Sequence, residues 1–180
     1  TDHYVDDIVV RESVLSAQEL REFLLQYGFE TKEPEGLDGG RLLGIALKKS
    51  PGGHLQMSRG VSLSEIDSDM SGLTKRRLFS LCGQLVGHYP VAGWLRPHCS
   101  FLKRLGGDGS WDEPVENSVS ELASELLARA RREDPVRGRW EVDASGTVTV
   151  WTDASSLAIG VVLEVDGEIA EDASWLRKTS

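Results

Sequence analysis

The chain has 180 residues, 39% of them hydrophobic and 27% charged, with a formal net charge of −9. This is enough for one sizeable domain or two small ones, and too rich in apolar residues for a disordered chain. No apolar run approaches the roughly 20 residues that cross a bilayer, and no basic n-region precedes an apolar stretch, so the expected setting is intracellular, cytoplasmic or nuclear, without a membrane partner.

The first ten residues, Thr1-Asp2-His3-Tyr4-Val5-Asp6-Asp7-Ile8-Val9-Val10, read as a strand, a tight acidic turn and a return strand. Adjacent carboxylates at the tip of an apolar hairpin repel each other and are costly to desolvate, a cost that a hard cation such as Mg²⁺ offsets. The missing initiator Met suggests a fragment or a processed product.

Ser16-Ala17-Gln18-Glu19 has the form of a capping box. Leu20, Phe23, Leu24 and Tyr27 follow as one apolar helix face, stopped by Gly28. Arg41 to Lys48 reads as a strand, Ser50-Pro51-Gly52-Gly53 as a turn and His54 to Met57 as a return strand. Residues 1–58 are therefore expected to form a hairpin, a helix packed on it and another hairpin, followed by a Ser/Gly/Asp-rich linker over 59–73 with one helical turn.

Thr74 caps a helix carrying Leu78, Leu81, Cys82, Leu85 and Val86, which Gly87 ends. After the break at Tyr89-Pro90, a second helix is expected from about Val91 to Leu105 despite Pro97. Between Ser71 and Leu105 stand Lys75, Arg76, Arg77, Arg96, Lys103 and Arg104 with no Asp or Glu; this segment is +6, so the net −9 leaves −15 on the remainder. Such a stripe can bind phosphates, and it can equally be a solvated helix face.

Gly106 to Ser110 marks a boundary, and Pro114 can open a third helix with Val119, Leu122, Ala123, Leu126 and Ala130 as its apolar stripe. After a break at Asp134-Pro135 to Gly138, strands are expected over Thr147–Thr152, over Ala158–Val165 and from Glu168 onward, with Asp166-Gly167 as a hairpin turn. Cys82, His88, His98 and Cys99 match no common zinc spacing, and two cysteines make no disulfide framework, which fits a reducing compartment. Trp94, Trp111, Trp140 and Trp151 are expected as core and interface anchors.

Three blocks carry a resemblance. Tyr4-Val5-Asp6-Asp7 followed by Ile8-Val9-Val10 resembles the palm hairpin of reverse transcriptases. Gly28 to Lys32, Arg41 to Leu47 and Lys75 to Pro90 resemble the segments that follow it in retroelement polymerases. Val148-Thr149-Val150-Trp151-Thr152-Asp153-Ala154-Ser155, then Ala158 to Leu163 and Trp175 to Lys178, resembles the opening strands of a retroelement RNase H.

The resemblance implies an LTR-type pol polyprotein and a two-metal nucleotidyl transfer with Mg²⁺ or Mn²⁺. Asp6 and Asp7 would be catalytic metal ligands, Tyr4 the aromatic near the primer end and incoming nucleotide, and Asp153 the first metal-binding carboxylate of the separate hydrolytic site. The basic stripe (Lys75, Arg76, Arg77, Arg96, Lys103 and Arg104) would hold the RNA/DNA template–primer duplex. The dNTP and the rest of the polyprotein are the other implied partners.

The expected fold class is α+β. Its expected parts are a palm piece over 1–70, a basic thumb or connection-like helical segment over 71–110, a connecting helix over 111–138 and the start of an RNase H-like mixed sheet over 139–180. The family's upstream palm Asp and later RNase H Glu and Asp residues have no counterpart here, so the isolated chain is expected to be inactive. The alternatives are a non-catalytic nucleic-acid-binding remnant and a decayed or domesticated fragment with an interaction role.

Overall fold

Tyr4 pairs with Asp7 at the head of a short antiparallel hairpin, β1 (Asp2–Tyr4) and β2 (Asp7–Val9). The structure, a computed structural model, describes residues 2–4, 7–140 and 146–178, with 2–4 and 7 by backbone alone. The expected turn residues Val5 and Asp6 lie outside the described residues.

Helix α1 (Ala17–Gln26) begins with the expected capping box, Ser16 Oγ accepting from Glu19 N at 3.2 Å and Glu19 Oε2 accepting from Ser16 N at 3.0 Å. Its packing differs from expectation. No residue of α1 is buried, and Phe23 and Tyr27 are 54% and 67% exposed, touching chiefly each other with ring centroids 5.1 Å apart. Periodicity identifies an apolar face without identifying what covers it.

The expected strand over 41–48 is two strands, β3 (Arg41–Leu42) and β4 (Ile45–Lys49). Leu43 and Gly44, with φ of 51° and 78°, turn the chain between them, the conformation of a two-residue hairpin loop. An apolar leucine occupies a position that usually falls to Asn, Asp or Gly, so the turn is hidden in the sequence. Strand β5 (Leu55–Arg59) returns antiparallel to β4, and β6 (Arg137–Arg139) pairs with β5 from far along the chain, giving the order β3-β4-β5-β6.

Three helices lie against this sheet. Helix α2 (Lys75–Val86) has Thr74 as its N-cap, with Thr74 Oγ1 accepting from Arg77 N, and Gly87 as its C-cap. Helix α3 starts later than expected, at Leu95, and runs to Leu105. Pro97 therefore falls in its first turn, where the missing N–H breaks no helical bond.

Helix α4 (Asn117–Arg132) starts beyond Pro114. Residues 113–115 are instead held extended against 73–75 by Lys75 N to Glu113 O (3.2 Å) and Val115 N to Leu73 O (2.9 Å). Leu122, expected in its stripe, is 40% exposed, and Leu127 is buried in its place. The core joins Leu42, Ile45, Leu47 and Met57 of the sheet to Leu78, Cys82 and Leu85 of α2, Leu95 and Leu102 of α3, and Ala123, Leu126 and Leu127 of α4.

The last unit is an antiparallel meander of β7 (Val148–Ala154), β8 (Ala158–Val165) and β9 (Glu168–Leu176), with Asp166-Gly167 as the expected turn. The fold is thus α+β with antiparallel sheets. Among the described residues no helix is long and apolar enough to cross a membrane.

Candidate functional site

Strand alternation sends Trp151 and Asp153 to one face of the meander. Cross-strand register places Asp153, Gly160 and Ser174 in one row, and Trp151, Val162 and Asp172 in the next. Gly93 and Pro97 of the α3 region close over this face and leave a groove of about 360 Å³.

A Cβ on Gly160 would meet nothing within 4 Å, so the glycine leaves open space between Asp153 and Ser174. Asp153 is exposed, and its Oδ1 accepts from the N–H of Ala154 at 2.8 Å. The buried Oγ of Ser174, on the far side, has no hydrogen-bond partner among the described residues.

The second acidic group on this face is committed. Asp172, 8% exposed, accepts from Ala92 N (3.0 Å), Gly93 N (2.6 Å) and Arg96 Nε (2.6 Å). Arg96 in turn donates to the carbonyls of Tyr89 (2.5 Å) and Pro90 (3.1 Å), and Asp172 N donates to Pro90 O at 2.9 Å. A carboxylate with this many donors acts as an anchor for the turn ahead of α3. Asp153 is then the remaining carboxylate of the groove. Among the described residues no group of three His, Cys, Asp or Glu could hold a metal ion, and one carboxylate with a hydroxyl falls short of the oxygen set that Mg²⁺ takes. The described residues of this chain do not by themselves make a Mg²⁺ site.

Tyr4 and Asp7 face each other across the β1–β2 pairing, and Asp6 lies outside the described residues.

The basic residues do not form the single exposed row expected of a duplex-gripping helix pair. Arg96 turns inward to Asp172. Arg76 pairs with Asp112 through two bonds of 2.9 and 3.2 Å, and that bond and charge hold the Asp112 carboxyl below its usual range. Arg77 donates to Asp67 Oδ2 (3.0 Å) and Asp69 O (2.8 Å). Lys75 donates to the Gly107 carbonyl and lies 5.1 Å from the Trp111 ring centroid. Among the described residues, Lys75, Lys103 and Arg104 are without a carboxylate partner; Lys103 sits over the Phe79 ring and Arg104 donates to Arg177 O. The sequence segment 71–105 contains no acid, but the fold brings acids to it from 67, 112 and 172.

Of the expected aromatic anchors, Trp94 and Trp140 pack against the core, while Trp111 and Trp151 are 48% and 58% exposed. Trp94 receives the Arg129 guanidinium at 4.2 Å. The residues that sequence reasoning missed are Asp172, Gly160 and Ser174. The register set at Asp166-Gly167 shifts by one residue at an irregularity between Leu163 and Glu164, so the turn alone would have paired Gly160 with Ala173, and no local signal placed Asp172 and Ser174 on the Asp153 face.

Residues 74–132 match a family described as a domain of unknown function (DUF7047). The match spans α2, α3 and α4 and includes neither the meander nor the β1–β2 hairpin. No curated protein matches the chain.

Proposed function

We propose that this chain is a segment of a retroelement polyprotein of reverse transcriptase and RNase H ancestry. The observation that carries the reading is the place of Asp153: at the end of the first strand of an antiparallel meander, exposed, beside an open groove over Gly160. A carboxylate that forms no ion pair among the described residues at such a place is suited to meeting a cation that a substrate brings or that further carboxylates share. The Tyr4–Asp7 pairing, with Val5 and Asp6 between, agrees with a palm-type hairpin.

In the complete parent, Mg²⁺ or Mn²⁺ would supply Lewis acidity for nucleotidyl transfer and for RNA cleavage. The partners would be the template–primer duplex, dNTP and the rest of the polyprotein. Asp6 and Asp7 would serve the first site and Asp153 the second, with the remaining carboxylates supplied from elsewhere in the parent. By itself the chain would turn over neither substrate.

The reading of 71–105 as a free phosphate-binding stripe draws less support, because Arg76, Arg77 and Arg96 are already paired with carboxylates. A phosphate would have to displace those partners.

The test is separation of function in the protein encoded by the extended reading frame. Asp153→Asn is expected to abolish Mg²⁺-dependent cleavage of RNA in an RNA–DNA hybrid while primer extension persists, and Asp6→Ala to do the reverse. Both activities surviving both substitutions, or neither activity being present in the parent, would overturn the reading.

A further inference from the structure

The sheet edges of this fold are protected unevenly. A strand edge offers a row of backbone N–H and C=O groups to any strand that can lie beside it, and proteins blunt such edges by shortness, charge, bulges or cover. The four-stranded sheet is blunted at both ends: β3 has two residues, and β6 has three, two of them arginines. The meander is covered at one end, where β9 lies against β6 and α3. At its other end stands β7, which among the described residues pairs with β8 alone. β7 has seven residues, pairs with β8 one for one from Val148 to Ala154, and holds no Pro, Gly, Lys or Arg. Val, Thr and Trp, residues that favour a strand, fill five of its positions, and all but Thr149 are exposed.

We propose that β7 is an interaction surface for a second copy of this chain. β7 of each copy pairs antiparallel with the other about a two-fold axis and joins the two meanders in one six-stranded sheet. The strand is complementary to a copy of itself. The register that overlaps all seven residues sets Trp151 opposite Trp151 of the second copy, an aromatic cross-strand pair. Thr149 then lies opposite Asp153 of the second copy, whose carboxylate can accept from the hydroxyl, and Val148 and Val150 lie opposite Ala154 and Thr152. Like charges do not meet, because Asp153 is the strand's single charge and stands four positions along the strand from its counterpart. Opposite residues share a face. Val148 and Val150 of both copies therefore continue the apolar row of Ile159 and Trp175, and both Asp153 carboxylates stay on the groove face.

Association closes at two copies. A two-fold contact is isologous and occupies both β7 edges, while β9 is already covered within each copy. The new bonds are main-chain bonds, as in strand addition to an exposed edge, and the side chains set the register.

Dimerisation is read without any activity, so its failure and that of the polymerase reading are separate results. Sedimentation equilibrium of the 180-residue chain is expected to show a mass that rises with concentration to twice that of the chain. Trp151→Lys and Trp151→Glu each set like charges opposite one another at the axis, and each should stay at monomer mass with the far-ultraviolet circular dichroism of the wild type. Mixed in equal amounts, the two variants should return dimer mass, because opposite charges then face each other. An equal mixture of isotope-labelled and unlabelled wild type should also give a filtered NOE between the Trp151 rings of two copies, a readout that needs no substitution. A wild type at monomer mass up to its solubility limit, a mass that climbs past two chains, dimer mass in either folded variant alone, monomer mass in the mixture of folded variants, or a wild-type dimer without the Trp151 NOE would overturn it.

Discussion

Asp172 shows how strongly one residue can be tied to the fold when burial and donors coincide. Its carboxylate is buried and accepts from two backbone amides and from Arg96. Replacing it with alanine strands a largely buried guanidinium and two amides at once. Asp172→Ala is therefore expected to cost about 3 kcal/mol, the range for breaking a buried pair from one side, read as a lower midpoint in urea. Asp112→Ala is the control. Arg76 and Asp112 have side chains 63% and 78% exposed, where water screens the pair and rotamer entropy opposes it. Its urea midpoint should stay within error of the wild type. A shift in Asp112→Ala equal to that in Asp172→Ala would show that ion-pair geometry, and not burial, sets the effect.

At the scale of the element, α1 stands apart because its ends are well made and its sides uncovered. Ser16 lowers the Glu19 carboxyl below its ordinary value of 4.5, first through its side-chain hydrogen bond and then through its backbone N–H. A depressed carboxylate contributes stability that is fully present above the ordinary value and is lost as pH falls through the folded one. Backbone chemical shifts of residues 17–26 should consequently move toward coil as pH falls below 4.5. Glu19→Gln keeps an acceptor at this position without the titration, and should remove that step; a step that persists would place the titrating group elsewhere.

The same helix marks the limit of what was legible in the sequence. Ser16, Thr74, Gly87 and Asp166-Gly167 announce element ends by local chemistry, and the structure has each of them where the residues indicate. The Leu43-Gly44 turn, the late start of α4 and the exposure of α1 are set by what lies across from them, which no local pattern carries. The site was half legible for the same reason. Asp153 stands in a recognisable string, whereas Asp172 and Ser174 join it only through the register of β8 and β9.

For the molecule as a whole, β9 is the strand through which the parts hold together. Asp172 anchors it to the α3 turn, and Asp166 at the turn leading into β9 pairs with Arg139 of β6 at 2.8 Å. Glu168 meets His54 at 2.5 Å and Gln56 at 2.7 Å, both from the β4–β5 hairpin. A side chain on Gly138 would strike the Ile169 carbonyl and approach Val91, so β6 and β9 meet at close to backbone contact. The meander alone has little to set against these ties. Val148, Val150, Ile159 and Trp175 share its other face and are 50%, 59%, 42% and 56% exposed, and three short strands need one well-covered face to be stable. A peptide of residues 139–180 is accordingly expected to be unfolded, with a coil-like circular dichroism spectrum and no dispersion of amide shifts. In the full chain, amide resonances of residues 148–176 and far-ultraviolet circular dichroism should give coincident urea transitions, since the former report the meander while α2, α3 and α4 dominate the helical signal. Separate transitions, or a folded 139–180 peptide, would make the meander an independent domain merely resting on the helices. The Asp172 cluster argues against that, because parting the meander from α3 would break its bonds to Ala92 N, Gly93 N and Arg96 Nε together, charge-assisted bonds that couple the two parts.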